Sequence, residues 1–439
     1  MKSITELFTI SEAAEEIGVS VDTIRRWEKK GLIKSTRDEH NHRVFSIDEI
    51  KRIHAKVTTG ASSNENNYKI LKTKKTTQYT AIDLFAGAGG TALGLENAGL
   101  RHVFLNEFDK HAVTTLRQNR PEWNVSGDDI HDVDFTPWYG KVDVIEGGFP
   151  CQAFSYAGKG RGFEDTRGTL FHEFARAVRE VRPKIAIGEN VRGLLTHDAG
   201  RTLRTMIKIL QELDYKVAYK VMRSQYLDVP QKRERLVIIA VRNDLNVPIL
   251  FPKERDYTIS LREAIGDRPE SDGQQYSERK LEIMQRVPEG GYWRDLPDHL
   301  QREYMKASYF HTGGKTGMAR RLAWDEPSLT LTCNPAQKQT ERCHPEETHP
   351  LNVREYARIQ TFPDEWQFAG STSAQYKQIG NAVPVNLGYY MGLAAIAMLS
   401  GKPNDDLQEV EPIEIVRDEL VSSEGSKETQ ASLVPVFEV

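Results

Sequence analysis

The stretch "YTAIDLFAGAGGTALGLENAG" at 79–99 places the strongest constraint on the fold. It reads as a short apolar strand, a glycine-rich turn and the start of a helix. Gly87 and Gly89 have no Cβ, so the backbone can turn sharply there and approach a ligand closely. The N-terminus of the helix that follows favours negative charge. A strand that runs into a helix through such a turn predicts an α/β fold.

Further apolar stretches repeat this pattern along the chain. The segments "HVFLNEFD", "VDVIEGGFP", "RPKIAIGENV" and "RLVIIAVR" are predicted strands, and 170–181 and 201–212 are predicted helices. Strands that alternate with helices predict a mostly parallel, doubly wound sheet, with ligands beyond the carboxyl ends of its strands. We divide the chain into a small domain (1–56), a polar linker (57–78), an α/β domain (79–250), an insertion (251–350), a returning segment (351–400) and an acidic, disordered tail (401–439).

Composition excludes several classes of protein. No apolar run approaches the about 20 residues of a membrane span, and no targeting segment is recognised, so a cytoplasmic protein without membrane contact is expected. The cysteines are three, at 151, 333 and 343, which implies no disulfide framework. The net charge of −4 argues against nucleic-acid binding, but without the tail 401–439 the charge is about +3.

The glycine-rich turn has the features of a nucleotide site. Glu107 ends the second strand, twenty residues after Gly87, where a carboxylate can hold a ribose diol. The string "GAGGTA" satisfies the loose dinucleotide pattern, so NAD and S-adenosylmethionine are both open, as is a turn without a ligand. Asp129 and Ile130 follow as candidates for an adenine amino group and ring face, although an acid at a strand end is often only a helix cap.

A second group of candidates follows the later strands. Cys151 comes directly after Pro150, and it is either a small buried hydrophobe or a thiolate held at the tip of a loop. Glu189 ends another strand and can act as an acid or a hydrogen-bond partner. Arg233 and Arg235 are two residues apart in an extended segment, so they share a face and suit an anion or a polarised carbonyl. Each residue alone also has a purely structural interpretation.

Together these motifs resemble the DNA cytosine-C5 methyltransferases. The family's order is matched by "DLFAGAGG", "NEFD", "GDDI", "GGFPCQAFS", "TRGTLF", "ENV", "QKRER", "REYARIQTFPD" and "QIGNAVP". The resemblance covers about 79–250 and 324–398. It implies a Rossmann-like S-adenosylmethionine methyltransferase sheet with an inserted target recognition domain at 251–350. No string resembling "DPPY" or "NPPF" occurs, which argues against the amino-methylating enzymes.

The resemblance also implies roles for individual residues. Cys151 would be the nucleophile that adds to C6 of a flipped cytosine, Glu189 would contact ring N3, and Arg233 and Arg235 would hold the cytosine carbonyl and the nucleotide phosphate. The implied cofactor is S-adenosylmethionine, and the implied cofactor-binding residues are Phe85, Gly87, Gly89, Glu107, Asp129, Ile130, Pro150, Leu170 and Asn381. Gln152 is a DNA-binding candidate. No metal site is expected, because Cys343 and His344 are adjacent and not at zinc spacing.

The N-terminal segment "FTISEAAEEIGVSVDTIRRWEKKGLI" reads as helix, tight turn, helix, and "RVFSIDEIKRI" as a wing strand and a third helix. Residues 8–54 resemble the winged helix-turn-helix of the MerR regulators. The resemblance implies that Thr23, Arg25, Arg26 and Arg43 face DNA phosphates or the groove. A small helical bundle for protein contacts is the alternative. The dimerising coiled coil and effector region usual in that family are absent from the sequence, which leaves DNA binding.

The leading hypothesis is a monomeric DNA cytosine-5 methyltransferase that protects host DNA in a restriction system. Its helix-turn-helix domain would bind promoter DNA and regulate expression. The alternatives are a transcription regulator with an inactive catalytic half, an RNA cytosine methyltransferase and, more remotely, a nicotinamide dehydrogenase. The methylated sequence is not readable, because side chains of the insertion do not map to base pairs.

Overall fold

The computed structural model describes residues 7–29, 31–38, 40–59, 67–150 and 169–414. The N-terminal elements are β1 (Leu7–Thr9), α1 (Ile10–Ile17), α2 (Val21–Lys29), β2 (Thr36–Arg37), β3 (Arg43–Ser46) and α3 (Ile47–Thr59). The three strands form an antiparallel sheet in the order β1-β3-β2. This arrangement confirms the predicted helix, turn, helix and wing.

Local interactions fix the ends of α1. Thr9 and Glu12 form a reciprocal capping box at its start, in which the Thr9 side chain accepts from the Glu12 N–H and Glu12 accepts from the Thr9 N–H. Gly18 ends the helix with φ of 78°, a left-handed conformation that glycine adopts without strain. The chain can therefore turn within three residues into α2, and Ile24, Trp27 and Phe45 close a small core.

The central domain begins with an alternation of strands and helices. Its elements are β4 (Thr80–Leu84), α4 (Gly90–Ala98), β5 (Arg101–Asn106), α5 (Lys110–Asn119), β6 (Val125–Ser126), β7 (Val144–Gly147), α6 (Leu170–Val181), β8 (Ile185–Val191), α7 (Arg201–Glu212), β9 (Tyr215–Arg223), β10 (Gln231–Lys232) and β11 (Glu234–Arg242). Seven of these strands form one sheet in the order β6-β5-β4-β7-β8-β11-β9.

The sheet is parallel from β6 to β8, and β11 runs antiparallel to both β8 and β9. The predicted α/β sheet is therefore confirmed. Strand β9, with the sequence "YKVAYKVMR", is an addition to the predicted strands. Tyr215 and Val217 pack on one face of this strand, and Met222 packs on the opposite face. The chain returns from β9 to β11 through a short connection, which an antiparallel pair allows.

The remaining elements are β12 (Leu250–Pro252), α8 (Leu261–Ile265), α9 (Glu278–Met284), α10 (Asp298–Met305), β13 (Ser328–Leu329), α11 (Val353–Ile359), α12 (Thr372–Asn381), α13 (Val385–Ser400) and β14 (Leu407–Glu409). The insertion has a core of its own around Trp293, Met284 and Tyr304. Its flanks behave differently, because Leu261 and Leu331 pack into the core shared with α5 and α12.

Two segments expected to lack structure are ordered. In the predicted linker, Tyr68 donates to the carbonyl of Arg358 and the Leu71 N–H to Asn386 Oδ1. The prediction of a disordered tail from 401 is wrong for its first part. There β14 pairs with β12. The apolar side chain of Ile413 packs against the main core, the hydrophobic cluster that includes Leu84, Ile145 and Ile238 of the sheet. Residues 60–66 and 415–439 lie outside the described residues.

Helix α13 is the most apolar element of the fold. Within the part of the chain that the structure describes, 372–400 is the one stretch with the length and composition to cross a membrane, with a mean hydropathy of 1.5. However, 78% of the 18-residue window that meets this criterion is buried inside the protein. Much of the buried surface is contact with α4, where glycines let the two backbones approach. A Cβ on Gly94 would lie 2.6 Å from Gly388 Cα and 2.4 Å from the Val385 oxygen.

Two carboxyl groups lie side by side within the sheet. Asp83 on β4 and Glu146 on β7 are register partners, and both side chains are buried. Burial raises the pKa of both carboxyls well above the usual range, assisted by Glu107 for Asp83 and by Asp83 and Glu189 for Glu146. Two buried carboxylates can satisfy each other only if one carries a proton. We infer that Glu146 donates this proton to Asp83.

The glycine contact between α4 and α13 generates the first prediction. Gly94→Ala is expected to lower the free energy of unfolding by about 1–3 kcal/mol, because the new methyl overlaps the backbone of α13 and forces the helices apart. The gain in helix propensity offsets only about 1 kcal/mol. Urea denaturation followed by circular dichroism measures the change. Gly193→Ala is the control, since a Cβ there has no neighbour within 4 Å. Equal midpoints for the two variants would contradict the prediction.

The carboxyl pair generates the second prediction. Above the ordinary carboxyl pKa the unfolded chain loses a proton that the folded chain retains. The free energy of unfolding must therefore fall as pH rises, by at most about 1.4 kcal/mol per pH unit for one proton. Glu146→Gln keeps a donor to Asp83 and removes one titrating group. We expect a shallower decline for the variant between pH 6 and 9, measured by urea denaturation, and parallel curves would refute the shared proton.

Candidate active site

The candidate residues lie mostly at one edge of the central sheet. The glycine-rich turn follows β4, Glu107 follows β5 and Pro150 lies three residues after the end of β7, while Glu189 lies near the end of β8. These strands are parallel neighbours, so their carboxyl ends share the same edge. The topology therefore brings together residues that are up to about a hundred positions apart in the sequence.

The turn after β4 is tightly wound. Phe85, Gly87 and Gly89 have φ values of 59°, 55° and 85°, so three left-handed residues occur within five positions. A Cβ on Gly89 would lie 2.8 Å from Leu116 Cδ2, which explains the glycine there by packing as well as by conformation. Phe85 is partly buried against the main core. The turn places the first amide groups of α4 at the sheet edge.

Glu107 is held in place by this turn. Its Oε2 accepts from the Gly87 N–H at 2.7 Å, and its Oε1 accepts from the Asp109 N–H at 2.7 Å. The carboxylate is partly exposed, and each oxygen retains lone-pair capacity for a further donor. The structure therefore brings Gly87 and Glu107 together, with acceptor capacity that suits the hydroxyls of a ribose.

The other cofactor candidates differ in the solvent exposure of their side chains. Asp129 is exposed, and its carboxylate caps the short turn Ile130–Asp132, accepting from the His131 N–H at 3.1 Å. Ile130 is buried beneath it in the main core. Leu170, at the start of α6, is partly buried. Asp129 thus fills the helix-cap role, with its side chain still open to solvent.

Asn381 and Pro150 complete the candidates at this edge. Asn381 ends α12 and is exposed, and its Oδ1 accepts from the Cys333 thiol at 3.0 Å. Pro150 is exposed at the last described position before the cysteine loop. The predicted nucleophile Cys151 and the DNA-binding candidate Gln152 lie outside the described residues.

Glu189 forms a buried ion pair with Arg235. Arg235 Nε lies 2.7 Å from Glu189 Oε1, and the side chains are 14% and 11% exposed. Burial raises the pKa of Glu189, against the lowering effect of Arg235 and Arg233. The Glu189 carboxyl is also close to the loop after β7, since a Cβ on Gly148 would lie 3.3 Å from its Oε2. A carboxyl with a raised pKa can hold or release a proton at this position.

Arg233 has different hydrogen-bond partners from Arg235. It is 1% exposed, and its guanidinium donates to the carbonyl oxygens of Leu331 (3.3 Å), Gly380 (3.1 Å) and Asn381 (3.4 Å). Burial beside Arg235 lowers its pKa to about 9. Its bonded partners are therefore main-chain carbonyls of the insertion's end and of α12.

Both arginines line a cleft of about 350 Å³. Three further cations line it, Arg192, Arg223 and Lys232, and the sequence analysis did not select them as site residues. Lys232 lies inside the motif "QKRER" that carries Arg233 and Arg235. The motif alone does not show that Lys232 faces the same cleft as the two arginines. Arg192 and Arg223 come from the end of β8 and the end of β9, and only the sheet order shows that they meet.

Two of the DNA-facing candidates of the N-terminal domain are covered by the insertion in this structure. Thr23 is fully buried, and Arg26 pairs with Asp325 at 2.5 Å and with Glu326 at 3.0 Å. Both residues contact the insertion, and the Arg26 side chain remains 21% exposed. Arg25 is exposed beside Asp22, and Arg43 is about one-third exposed beside Glu28. Arg25 and Arg43 remain accessible, as the helix-turn-helix pattern predicts.

One group of potential metal ligands occurs among the described residues, namely His344, His349 and Glu355, whose ligand atoms lie within 4.8 Å of one another. His344 Nδ1 accepts the N–H groups of Glu346 (3.3 Å) and Glu347 (3.0 Å), so its proton must be on Nε2. Nε2 lies 3.7 Å from Glu355 Oε1, which is beyond hydrogen-bond distance. Burial lowers the pKa of His344 to about 3, which keeps the ring neutral. This tautomer leaves no lone pair at Nε2 for a metal.

Comparison with known proteins agrees with this geometry. The model of the C-5 cytosine-specific DNA methylases matches residues 79–396, and that of the MerR family regulatory proteins matches 9–45. The chain is 56% identical to the type II methyltransferase M.Eco47II of Escherichia coli over 91% of this chain and 97% of that protein. It is 51% identical to M.PspPI of Psychrobacter sp., over 92% of this chain and 99% of that protein.

Solved structures show the same fold. An E. coli prophage protein described as a DNA modification methyltransferase superposes with a TM-score of 0.54 at 22% identity, over 74% of this chain and all of that chain. A DNMT2 mutant of Spodoptera frugiperda superposes with a TM-score of 0.51 at 17% identity, over 73% and 100% of the two chains. The family match and the relatives above 50% identity decide the assignment, and the chain belongs to the type II C-5 cytosine-specific DNA methylases, with a MerR-like domain at its N-terminus.

Proposed function

We propose that the chain transfers a methyl group from S-adenosylmethionine to C5 of a cytosine in a specific duplex sequence, through a covalent Cys151 adduct. The observation that carries the proposal is the buried Glu189–Arg235 pair, which lies against the loop that leads into Cys151. An acid and a fixed cation beside a nucleophile suit attack on an amidine-like ring, because charge that develops on N3 and O2 has a donor for each.

The Cys151 thiolate adds to C6, and the electron pair of the C5–C6 bond becomes available at C5. Glu189 holds a proton at N3, and Arg235 donates to O2. C5 then takes the methyl group, and the methyl–sulfur bond of the donor breaks. Loss of the C5 proton to water returns its electron pair to the C5–C6 bond, and cleavage of the C6–sulfur bond releases the Cys151 thiolate. The proton at N3 returns to Glu189.

For the cofactor, the charges at the sheet edge favour S-adenosylmethionine over NAD. When bound, this cofactor supplies a methyl carbon on a cationic sulfonium. Asp83, Glu107, Glu146 and Glu189 lie at or near the carboxyl ends of four neighbouring strands. Asp83 and Glu146 share one proton and Glu189 is paired with Arg235, so the negative charge that remains, with that of Glu107, favours a cation over a dinucleotide pyrophosphate. Glu107 would hold the ribose, Asp129 the adenine amino group, and Phe85, Ile130, Pro150, Leu170 and Asn381 the remaining surface.

The cleft beside Arg235 suits a nucleotide that has left the DNA stack. Its volume of about 350 Å³ and its cations, including Arg192, Arg223 and Lys232, match a base with its flanking phosphates. Arg233 would contribute by fixing Arg235's strand to α12 through its carbonyl bonds. Gln152 would contact the DNA, and residues 251–350 would read the target sequence. The protein would act on its target DNA as a monomer.

We further propose that the protein is the modification half of a restriction system and that its N-terminal domain binds promoter DNA. The support is the match to the MerR family at 9–45 and the accessible Arg25 and Arg43 on α2 and the wing. Autoregulation would let a single chain both methylate DNA and limit its own synthesis.

The adduct can be tested with DNA that is amplified with 5-fluorodeoxycytidine triphosphate in place of deoxycytidine triphosphate. Every cytosine that could be the target is then fluorinated. Fluorine cannot leave C5 as a proton does, so the wild-type protein with S-adenosylmethionine should form a complex that survives SDS. Cys151→Ser should form none, whereas Cys333→Ser, which removes an exposed thiol elsewhere in the chain, should still form it. Trapping by Cys151→Ser would disprove the nucleophile. Bisulfite sequencing of plasmid from expressing cells would identify the methylated cytosine.

The cofactor assignment has a test that does not depend on activity. Glu107→Gln should weaken binding of S-adenosylmethionine about 10- to 100-fold by calorimetry, because hydrogen bonds to a charged group contribute about 1.5–3 kcal/mol. Glu122→Gln, a change of the exposed carboxylate before Trp123, should bind as the wild type does. Equal affinity of the two variants would show that Glu107 does not hold the ribose.

A further inference from the structure

The recognition helix of the N-terminal domain, α2, is packed against the insertion. The backbones of Val19 and Glu289 form a parallel bridge, and the Ser20 N–H donates to the Glu289 carbonyl at 3.0 Å. Thr23 on α2 lies directly over Gly290, where a Cβ would be 2.4 Å from Thr23 Oγ1. This contact leaves no room for DNA between the two surfaces.

Charge complementarity strengthens the contact. Arg26 on α2 is enclosed by Asp325 and Glu326, at 2.5 and 3.0 Å, and its side chain is 21% exposed. Trp27 Nε1 donates to the same Asp325 carboxylate. The arginine and the indole N–H lie on the face of α2 that a helix-turn-helix presents to DNA. Donors of these two types commonly bind phosphate oxygens. In this structure two carboxylates occupy them.

The acidic pair also reaches the catalytic cleft. Glu326 pairs with Lys232 at 2.5 Å as well as with Arg26, and Lys232 lines the cleft beside Arg233 and Arg235. Strand β13 begins two residues later and pairs with β10, which contains Lys232. The contact with α2 is therefore continuous with β10, which directly precedes Arg233 and Arg235 in the chain.

We propose that the α2 face is a DNA-binding surface that Asp325 and Glu326 cover by taking the place of DNA phosphates. Duplex DNA can reach Thr23 and Arg26 only when the N-terminal domain leaves the insertion, so the two partners exclude each other. This inference rests on the proposed DNA binding of the N-terminal domain. Loss of the acidic pair shifts the domain toward its open, DNA-binding state.

The test compares full-length variants without S-adenosylmethionine. Asp325→Asn with Glu326→Gln removes the covering charges and retains side-chain size. Glu282→Gln with Glu303→Gln removes the same charge from exposed pairs with Arg279 in the same insertion. The probe is a labelled duplex covering the promoter region upstream of the protein's own gene. Anisotropy should show affinity on the order of tenfold tighter for the first variant than for the second.

Two further measurements assign that gain to the N-terminal domain. Adding Arg25→Ala and Arg43→Ala to the first variant should abolish it. Hydrogen exchange in 20–27 and 287–291 should be faster in the first variant than in the wild type. Promoter DNA added to the wild type should speed exchange in 287–291.

The opposing results are distinct. Slow exchange in both segments with DNA bound through Arg25 and Arg43 would show that the docked domain binds DNA, which overturns the exclusion alone. Fast exchange in the first variant without any gain in affinity would show that the freed α2 does not bind DNA, which overturns the promoter-binding proposal and this inference with it.

Discussion

The buried guanidinium of Arg233 connects three parts of the chain that are distant in sequence. It donates to carbonyls at 331, 380 and 381, which belong to the end of the insertion and to α12. Burial of a cation is costly unless its donors are satisfied, and the lowered pKa of Arg233 reflects that cost. Because the returning segment supplies two of these carbonyls, Arg233 ties the junction between β10 and β11 to α12. Arg235, two residues later, is thereby free to face Glu189.

The acids at the sheet edge impose a second constraint. Asp83 and Glu146 lie next to each other with raised pKa values, and Glu107 and Glu189 act on them from the flanking strands. Among the described contacts of the four, only Glu189 is ion-paired, to Arg235. Retaining a proton between Asp83 and Glu146 limits the charge that the edge must bear. The remaining negative charge is still well placed to attract a cationic ligand toward the turn after β4.

Much of the fold could be predicted from the sequence because it depends on local patterns. Apolar strands that end in turns identify the parallel part of the sheet, and a glycine-rich turn with an acid twenty residues later correctly pairs Gly87 with Glu107. The ordering of 407–413 depends on pairing with the distant strand β12, which periodicity does not reveal. Residue alternation correctly predicts that Arg233 and Arg235 line the same cleft. It cannot show that Arg233 donates to the carbonyls of Leu331 and Gly380, which are 98 and 147 residues away.

The N-terminal domain shows a different limit of sequence reasoning. A helix that binds phosphate and a helix that binds carboxylates require the same side chains, since arginine and indole donors serve both acceptors. The motif around Thr23 and Arg26 therefore specifies the chemistry of the α2 face without specifying its partner. The partner is set by Asp325, Glu326 and the glycine at 290, which are about 300 residues away. Because Glu326 also contacts Lys232, occupancy of the α2 face and the position of the cleft-lining strand are physically linked.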